Sequence, residues 1–458
     1  QLEFRGEIGA YPSTGSRIPF FSLAVAQGLY DIEYLQARVR VAVTNRAPTG
    51  PYRGAGRPEG NIAIERAVDE FARRLGLHPE RVRQANFIPS AALPYRTHTG
   101  SLYDSGDYAA ALELAVETAQ VEQWRQEQER RRQVGGDPIG IGIGTFVERA
   151  GGAVGMGEYG KVELAPDGTV VVRTGSTSAG QAHRTVWSQI AGAVFDLSPD
   201  EIRFFAGDTA EVDQSVGSFG SRSLQLGGSA IFRTATAVRE LATKVAAELL
   251  EAAAGDLEIS QGKFSVAGSP GSEISLSEVA ERAAGLGVEL AAEEMYVPDN
   301  ITFPYGAYVA VVEVELETGE VNLLRLVAVD DCGVVVNPMV VEGQLHGSIM
   351  QGLGTALLEA IQYDDDGQLL TGNLMSYLIP TATQPFPLVS RRIVSPAPSN
   401  PLGAKGAGEA GCIGVPPAVL NAVLDALHPY GVHSIDFPLT PARVWETIQT
   451  ARREGARR

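Results

Sequence analysis

Residues 400–417 read NPLGAKGAGEAGCIGVPP, with one carboxylate, Glu409, among five glycines and Lys405 four positions before it. Glycine-dense backbone reaches dihedrals closed to other residues and lets a ligand approach main-chain N–H groups. The text then runs into PPAVLNAVLDAL (416–427), which predicts a helix with proline in its first turn. Glu409 therefore falls on an irregular loop before a helix N-terminus, where free N–H donors and a positive field suit an anionic ligand. Two plainer readings stand beside this one. Residues 406–411 formally match GxGxxG, but a dinucleotide fingerprint needs a strand ahead of it, and SPAPSNPLGAK (395–405) carries three prolines. Glu409 also reads as a solvated loop residue or a structural cap.

Working outward, 458 residues allow two or three domains. A hydrophobic content of 44% with 20% charged residues describes an ordinary globular chain with a sizeable core. The net charge of −18 argues against nucleic acid and against an anionic membrane surface. No run of about 18 apolar residues and no signal peptide are read in the text, so no membrane partner is expected. Two cysteines, Cys332 and Cys412, make no disulfide framework and fit a reducing, cytoplasmic compartment. The chain opens at Gln1 in strand-like text and reads as a fragment or a processed piece.

Along the chain, Asn61 to Leu77 carries apolar residues at helical spacing, and a second helix runs from about Tyr108 into the polar stretch QWRQEQERRRQ. After a linker-like 133–138 comes IGIGIGTFVE (139–148), a strand whose glycine face must sit against something close. Pro166-Asp167-Gly168 and Glu317 to Glu320 each read as the turn of a hairpin. Helices are predicted over 185–194, 233–254, 343–360 and 441–452. Strands and helices alternate, with hairpins in the second half, so the expected class is α+β with antiparallel and mixed sheets.

Four loops share one composition: TGPYRGAGRPEG (49–60), GSTSAGQAH (175–183), GSFGSRSLQLGG (217–228) and the stretch from Asn400 to Gly414. Glycine offers reachable N–H donors, Ser and Gln neutral hydrogen bonds, and Arg53, Arg222 and Lys405 positive charge for phosphate or an oxyanion. Together they suggest one large, polar, anionic cofactor. The six histidines form no HxH or HxxH pair, so a protein-ligated metal is not expected. His183 reads as a hydrogen-bonding or core residue. The absence of a GxSxG elbow argues against a hydrolase triad.

Five motifs in order, PYRGAGRPEGN, PDGTVVVRTGSTSAGQAHRT, GDT followed by GSFGSRS, DDCGVVVNPMVVEGQLHGSIMQGLG and GAKGAGEAGCIGVPPAV, make the whole chain resemble the molybdopterin-binding large subunit of the molybdenum hydroxylases. That is the xanthine dehydrogenase / aldehyde oxidase / aerobic carbon monoxide dehydrogenase family, and the likeness is to its C-terminal part in a form II-like version. The resemblance implies two elongated mixed α/β molybdenum-cofactor-binding domains, over 1–137 and 138–458. It implies a Mo-molybdopterin cofactor in the cytosine dinucleotide form, holding the metal through its own sulfurs. Iron–sulfur clusters and FAD would lie on a small and a medium partner subunit. Glu409 maps to the family's general base, with a pKa raised by a dry pocket. Arg53, Gly180, Gln181, Ser221, Arg222, Ser223, Gln344, Ala404, Lys405, Gly406 and Gly408 map to cofactor-binding positions. The implied reaction is oxidation of an aldehyde or N-heterocycle with oxygen from water; a cofactor-free structural or assembly chain is the rival.

Three departures qualify the likeness. Carbon monoxide dehydrogenases have a copper-bound cysteine where this chain has Gly54, and xanthine enzymes a stacking phenylalanine where it has Ala55. The family's N-terminal segment is not in this sequence, so another segment or a companion subunit is expected to complete the site. Taken alone, the chain is expected to present an open groove with all four loops on one wall and Gln181 and Gln344 in one cavity.

Overall fold

The period-two glycines of Ile139–Val147 set the packing. The structure is a computed structural model describing residues 1–455 apart from 154, 213 and 384–386. A methyl built on Gly140 would fall on backbone atoms of Ala422 and Ala426, one on Gly142 on those of Ala418 and Ala422, and one on Gly144 would lie 2.8 Å from both Ala418 N and Gly414 O. The helix Ala410–Leu427 thus lies directly on the strand, at a distance that no side chain between them allows. The intervening Ile143 and Val147 point the other way, into a cluster with Leu112 and Ala115 of the helix Tyr108–Ala119. That cluster joins residues from both sides of position 137.

The glycine strand is the edge of a four-stranded sheet. It pairs antiparallel with Tyr305–Val314, which pairs with Val321–Asp331, which takes Leu388–Arg392 in parallel. An open edge leaves unpaired N–H and C=O groups. Here helix side chains satisfy them: Gln128 Nε2 donates to Ile139 O, Asp425 Oδ2 accepts from Ile141 N, Asn421 Nδ2 donates to Ile143 O, and Glu65 Oε2 accepts from Thr145 N. This covered edge leads straight to Glu148 and the site.

A second four-stranded sheet, ordered Ala291–Tyr296, Glu158–Leu164, Val170–Thr174, Ile202–Ala206, packs on helices His183–Phe195, Ser229–Leu250 and Leu276–Leu286. The class is the expected α+β, and both predicted hairpins are present. Three expectations change. The long polar helix is two helices, Tyr108–Ala119 and Val121–Val134, broken at Gln120, whose φ is 59°. The helix after Glu409 starts at Ala410, with Pro416 and Pro417 inside it. Its first turn closes early because Gly411 N donates to Ser348 Oγ and Cys412 N returns to Glu409 O. The segment Ala410–Tyr430 is also long and apolar enough to cross a membrane, which the sequence reading did not recognise, but 94% of its apolar window is buried inside the protein. It is a core helix.

Candidate active site

All four glycine-rich loops meet around one cavity of about 780 Å³. Tyr52, Arg53, Ala55 and Arg57 come from the first loop, Ala179, Gln181 and His183 from the second, Ser218 to Ser221 and Ser223 from the third, and Lys405 to Glu409 from the fourth. Gln344, on the helix Pro338–Leu357, shares this cavity with Gln181. The rim stays open to solvent through Tyr52, Phe219 and Val334, which are 42%, 47% and 39% exposed.

Glu409 sits at the floor as the N-cap of the buried helix. Its Oε1 accepts from Gly54 N at 2.8 Å, and its Oε2 accepts from Arg57 Nη2 at 2.6 Å and from Ser221 Oγ at 3.0 Å. The Gly54 N–H is free to point there because residues 54–56 all take positive φ (101°, 43° and 85°), turning the chain sharply into the helix Arg57–Leu75. Ser221, with φ 52°, makes a similar forced turn. It precedes the π-turn Leu224–Gly228, an irregularity common beside functional sites.

Behind Glu409 lies a second carboxyl. Glu148, just past the end of the glycine strand, is fully buried, no donor among the described residues meets hydrogen-bond geometry at its two oxygens, and Oε1 is 3.9 Å from Arg57 Nη2. Burial pushes Glu148 up to about 8, helped by the charge of Glu409 and opposed by Arg57. Burial also pushes Glu409 up, but Arg57, Glu148, the Gly54 N–H and Ser221 outweigh it and hold this carboxyl below its usual value. The expected rise in the pKa of Glu409 is therefore not found; the raised carboxyl is its neighbour.

The other predicted residues divide into three groups. Gln181, Ser221, Ser223, Gln344, Gly406 and Gly408 line the cavity. Arg53 lines it while tied to backbone, donating from Nε to Gly408 O at 2.5 Å and from Nη2 to Gln344 O at 3.3 Å. Gly180 lies just behind, its carbonyl facing Gln344 Nε2 at 3.5 Å. Ala404 is fully buried, bridged to Gly333. Arg222 and Lys405 do not supply the free positive charge expected of them. Arg222 is wholly buried, with Nη1 on Glu158 Oε2 at 2.6 Å and on Gly217 O at 2.8 Å. Lys405 Nζ pairs with Asp331 Oδ1 at 3.1 Å, both side chains fully buried. Both cations are spent on buried carboxylates that would otherwise be unpaired, and so they brace the loops.

Sequence reasoning missed Arg57 and Glu148. Arg57 opens a helix, where a cation opposes the field of the N-terminus and needs a counter-charge; that was a readable signal. Glu148 gave only a lone charge closing an apolar strand.

The donor set fits a large polar group. Among the described residues, two buried donors in the cavity wall, Arg57 Nε and Trp187 Nε1, have no partner within the protein, and neither has His183 Nε2, the ring's acceptor nitrogen because Nδ1 faces Ser176 O. Among the described residues no three His, Cys, Asp or Glu side chains cluster as metal ligands.

Comparison with known proteins gives the family. Residues 114–385 and residues 1–87 each match a family described as a molybdopterin cofactor-binding domain. The chain is 35% identical over 452 residues to the carbon monoxide dehydrogenase large chain of Hydrogenophaga pseudoflava, covering 95% of this chain and 56% of that one. It is 36% identical over 436 residues to the 6-hydroxypseudooxynicotine dehydrogenase complex subunit gamma of Paenarthrobacter nicotinovorans, covering 92% and 54%. The chain thus spans about half the length of the curated relatives it matches. Among solved structures, the Cu,Mo-CO dehydrogenase in its carbon monoxide reduced state superposes with a TM-score of 0.92 at 31% identity, over 98% of this chain and 59% of that one. Quinoline 2-oxidoreductase from Pseudomonas putida 86 gives 0.90 at 34%, over 98% and 60%. The chain belongs to the molybdopterin cofactor-binding family of molybdenum hydroxylase large subunits.

Proposed function

We propose that this chain forms the cofactor-facing part of a molybdenum hydroxylase that oxidises an aldehyde or an N-heterocycle with oxygen from water. The observation that carries the reading is Glu409. It is an ionised carboxylate on the floor of the cavity where four glycine-rich loops converge, fixed by Gly54 N–H, Arg57 and Ser221. Gln181, Ser223, Gln344, Arg53 and the backbone of residues 406–408 would hold a molybdopterin group by neutral and charge-assisted hydrogen bonds. When bound, that group supplies the two-electron oxidising centre. Glu409 would accept, at a carboxylate oxygen, the proton released as the water-derived oxygen adds to the substrate carbon. Loss of such a base costs about 10²–10⁴-fold in rate.

Copper-dependent carbon monoxide oxidation is not part of the reading. Gly54 has φ +101°, and a Cβ there would meet the ring of Pro58 at 2.5 and 2.8 Å, so a metal-binding side chain at this position would require the 54–56 turn to shift. The cytosine dinucleotide form of the cofactor, an iron–sulfur small subunit and an FAD medium subunit are further parts of the proposal. The exposed rim at Tyr52, Phe219 and Val334 supports a companion segment or subunit that closes the groove.

The test is molybdenum analysis of the purified protein, with and without its co-expressed neighbours, followed by dye reduction with aldehydes and N-heterocycles. Stoichiometric molybdenum in the assembled complex and substrate-dependent reduction are expected. An assembled complex without molybdenum would sink the reading.

A further inference from the structure

Resting on that reading, we propose that Glu148 is a positioning residue of the site, a proton-bearing carboxyl whose neutral form leaves Arg57 to Glu409 alone. Arg57 lies between two carboxyls, with Nη2 2.6 Å from Glu409 Oε2 and 3.9 Å from Glu148 Oε1. The three side chains are 6%, 11% and 0% exposed. With both acids ionised the cluster would hold one uncompensated negative charge out of water, which is costly; one retained proton removes it.

Geometry decides which acid keeps the proton. Glu409 has three donors on its carboxylate, from Gly54, Arg57 and Ser221. Among the described residues no donor meets hydrogen-bond geometry at either Glu148 oxygen, and its near neighbours are Ser221 and the Glu409 carboxylate, to which a protonated Glu148 can donate. Hydrogen bonds to the charged form favour it, so the ion is Glu409 and the neutral acid is Glu148. The direction of the two pKa shifts agrees.

The other titratable groups around Glu148 do not replace Arg57. Tyr308 and Cys412 feel its charge, but the Tyr308 hydroxyl donates to Asp330 Oδ1 and the Cys412 thiol to Ser348 O. Arg149, the next residue, turns its guanidinium to Gly152 O and the cavity. When Glu148 gives up its proton to solvent, Arg57 is shared between two carboxylates. Glu409 then becomes a stronger base, less firmly held.

Infrared difference spectroscopy on the full chain tests this. The wild type should show a protonated-carboxyl C=O absorption at pH 7 that titrates away near pH 8, and Glu148→Gln should lack it. Should Glu148→Gln fail to fold, Glu148→Asp keeps a titratable acid and should keep the band. In the assembled enzyme, Glu148→Gln should move the alkaline limb of the kcat/KM profile by a pH unit or more. An unchanged band in Glu148→Gln overturns the assignment of the proton. A lost band with an unmoved kcat/KM profile overturns the positioning role. The infrared readout needs no turnover, so an enzyme inactive on every substrate would sink the functional reading and leave this one standing.

Discussion

Replacing Arg57 with methionine should unbalance the site's electrostatics at a single point. Methionine keeps much of the side-chain bulk but removes the cation between Glu409 and Glu148. Glu409 would be left with Gly54 N–H and Ser221 Oγ as donors, at 11% side-chain exposure. Breaking a buried pair by removing one partner costs about 3–5 kcal/mol, because the remaining charge is uncompensated. The pH dependence follows from the sign of the shift. In the wild type Glu409 is held below its ordinary value of 4.5, so its contribution is present above that value and is lost as pH falls through the lowered one. In Arg57→Met, burial is no longer offset by the cation, and the folded protein can take up a proton on Glu409 instead. The stability gap should therefore be widest near pH 7 and close as pH falls below 4.5. Urea unfolding of the full chain at pH 7.5 and pH 4 measures it. A loss under about 1 kcal/mol at pH 7.5, or one equally large at pH 4, would refute the buried-pair argument.

Other substitutions probe the scaffold and the loop. Gly142→Ala should destabilise by at least about 1–3 kcal/mol, since the methyl meets backbone of the core helix; Gly285→Ala, in a helix with open space around it, should instead stabilise by about 0.5–1 kcal/mol. Thermal melts of the two variants side by side suffice, and equal shifts would contradict the packing account. Gly54→Cys should lose the Gly54 N–H to Glu409 contact as the 54–56 turn is displaced, lowering kcat/KM in the assembled enzyme about as much as an oxyanion-type donor loss, 10²–10³-fold. Activity within a few-fold of wild type would mean the turn can relax around a side chain.

Much of this architecture was legible because it is local. The Ile–Gly alternation required a close neighbour on one face, and the helix backbone at Ala418 and Ala422 is that neighbour. Loop composition grouped four segments that converge on one cavity, and Gln344, expected there with Gln181 from its Gly-Gln pair and the family likeness, lines it too. What stayed hidden depends on pairings between distant residues. Nothing near Lys405 in the sequence announces Asp331, and nothing near Arg222 announces Glu158, so two cations that read as ligand contacts are internal braces. The start of the helix at Ala410 was obscured by Pro416 and Pro417, which ordinarily mark a first turn; here Ser348 and the Glu409 carbonyl complete that turn six residues earlier. Glu148 carried no motif, and its importance comes only from lying beside Arg57.

The central claim is that Glu409 is the general base, and Glu409→Gln in the complete enzyme tests it most directly. Glutamine preserves the shape, and with its amide oxygen at the Oε2 position it can still accept from Arg57 and Ser221; only the Gly54 N–H then loses its acceptor to the amide NH2, so the fold and the bound molybdenum content should be kept. Turnover should fall about 10²–10⁴-fold, the usual cost of losing a positioned base. Molybdenum content equal to wild type together with activity within a few-fold of it would contradict the account.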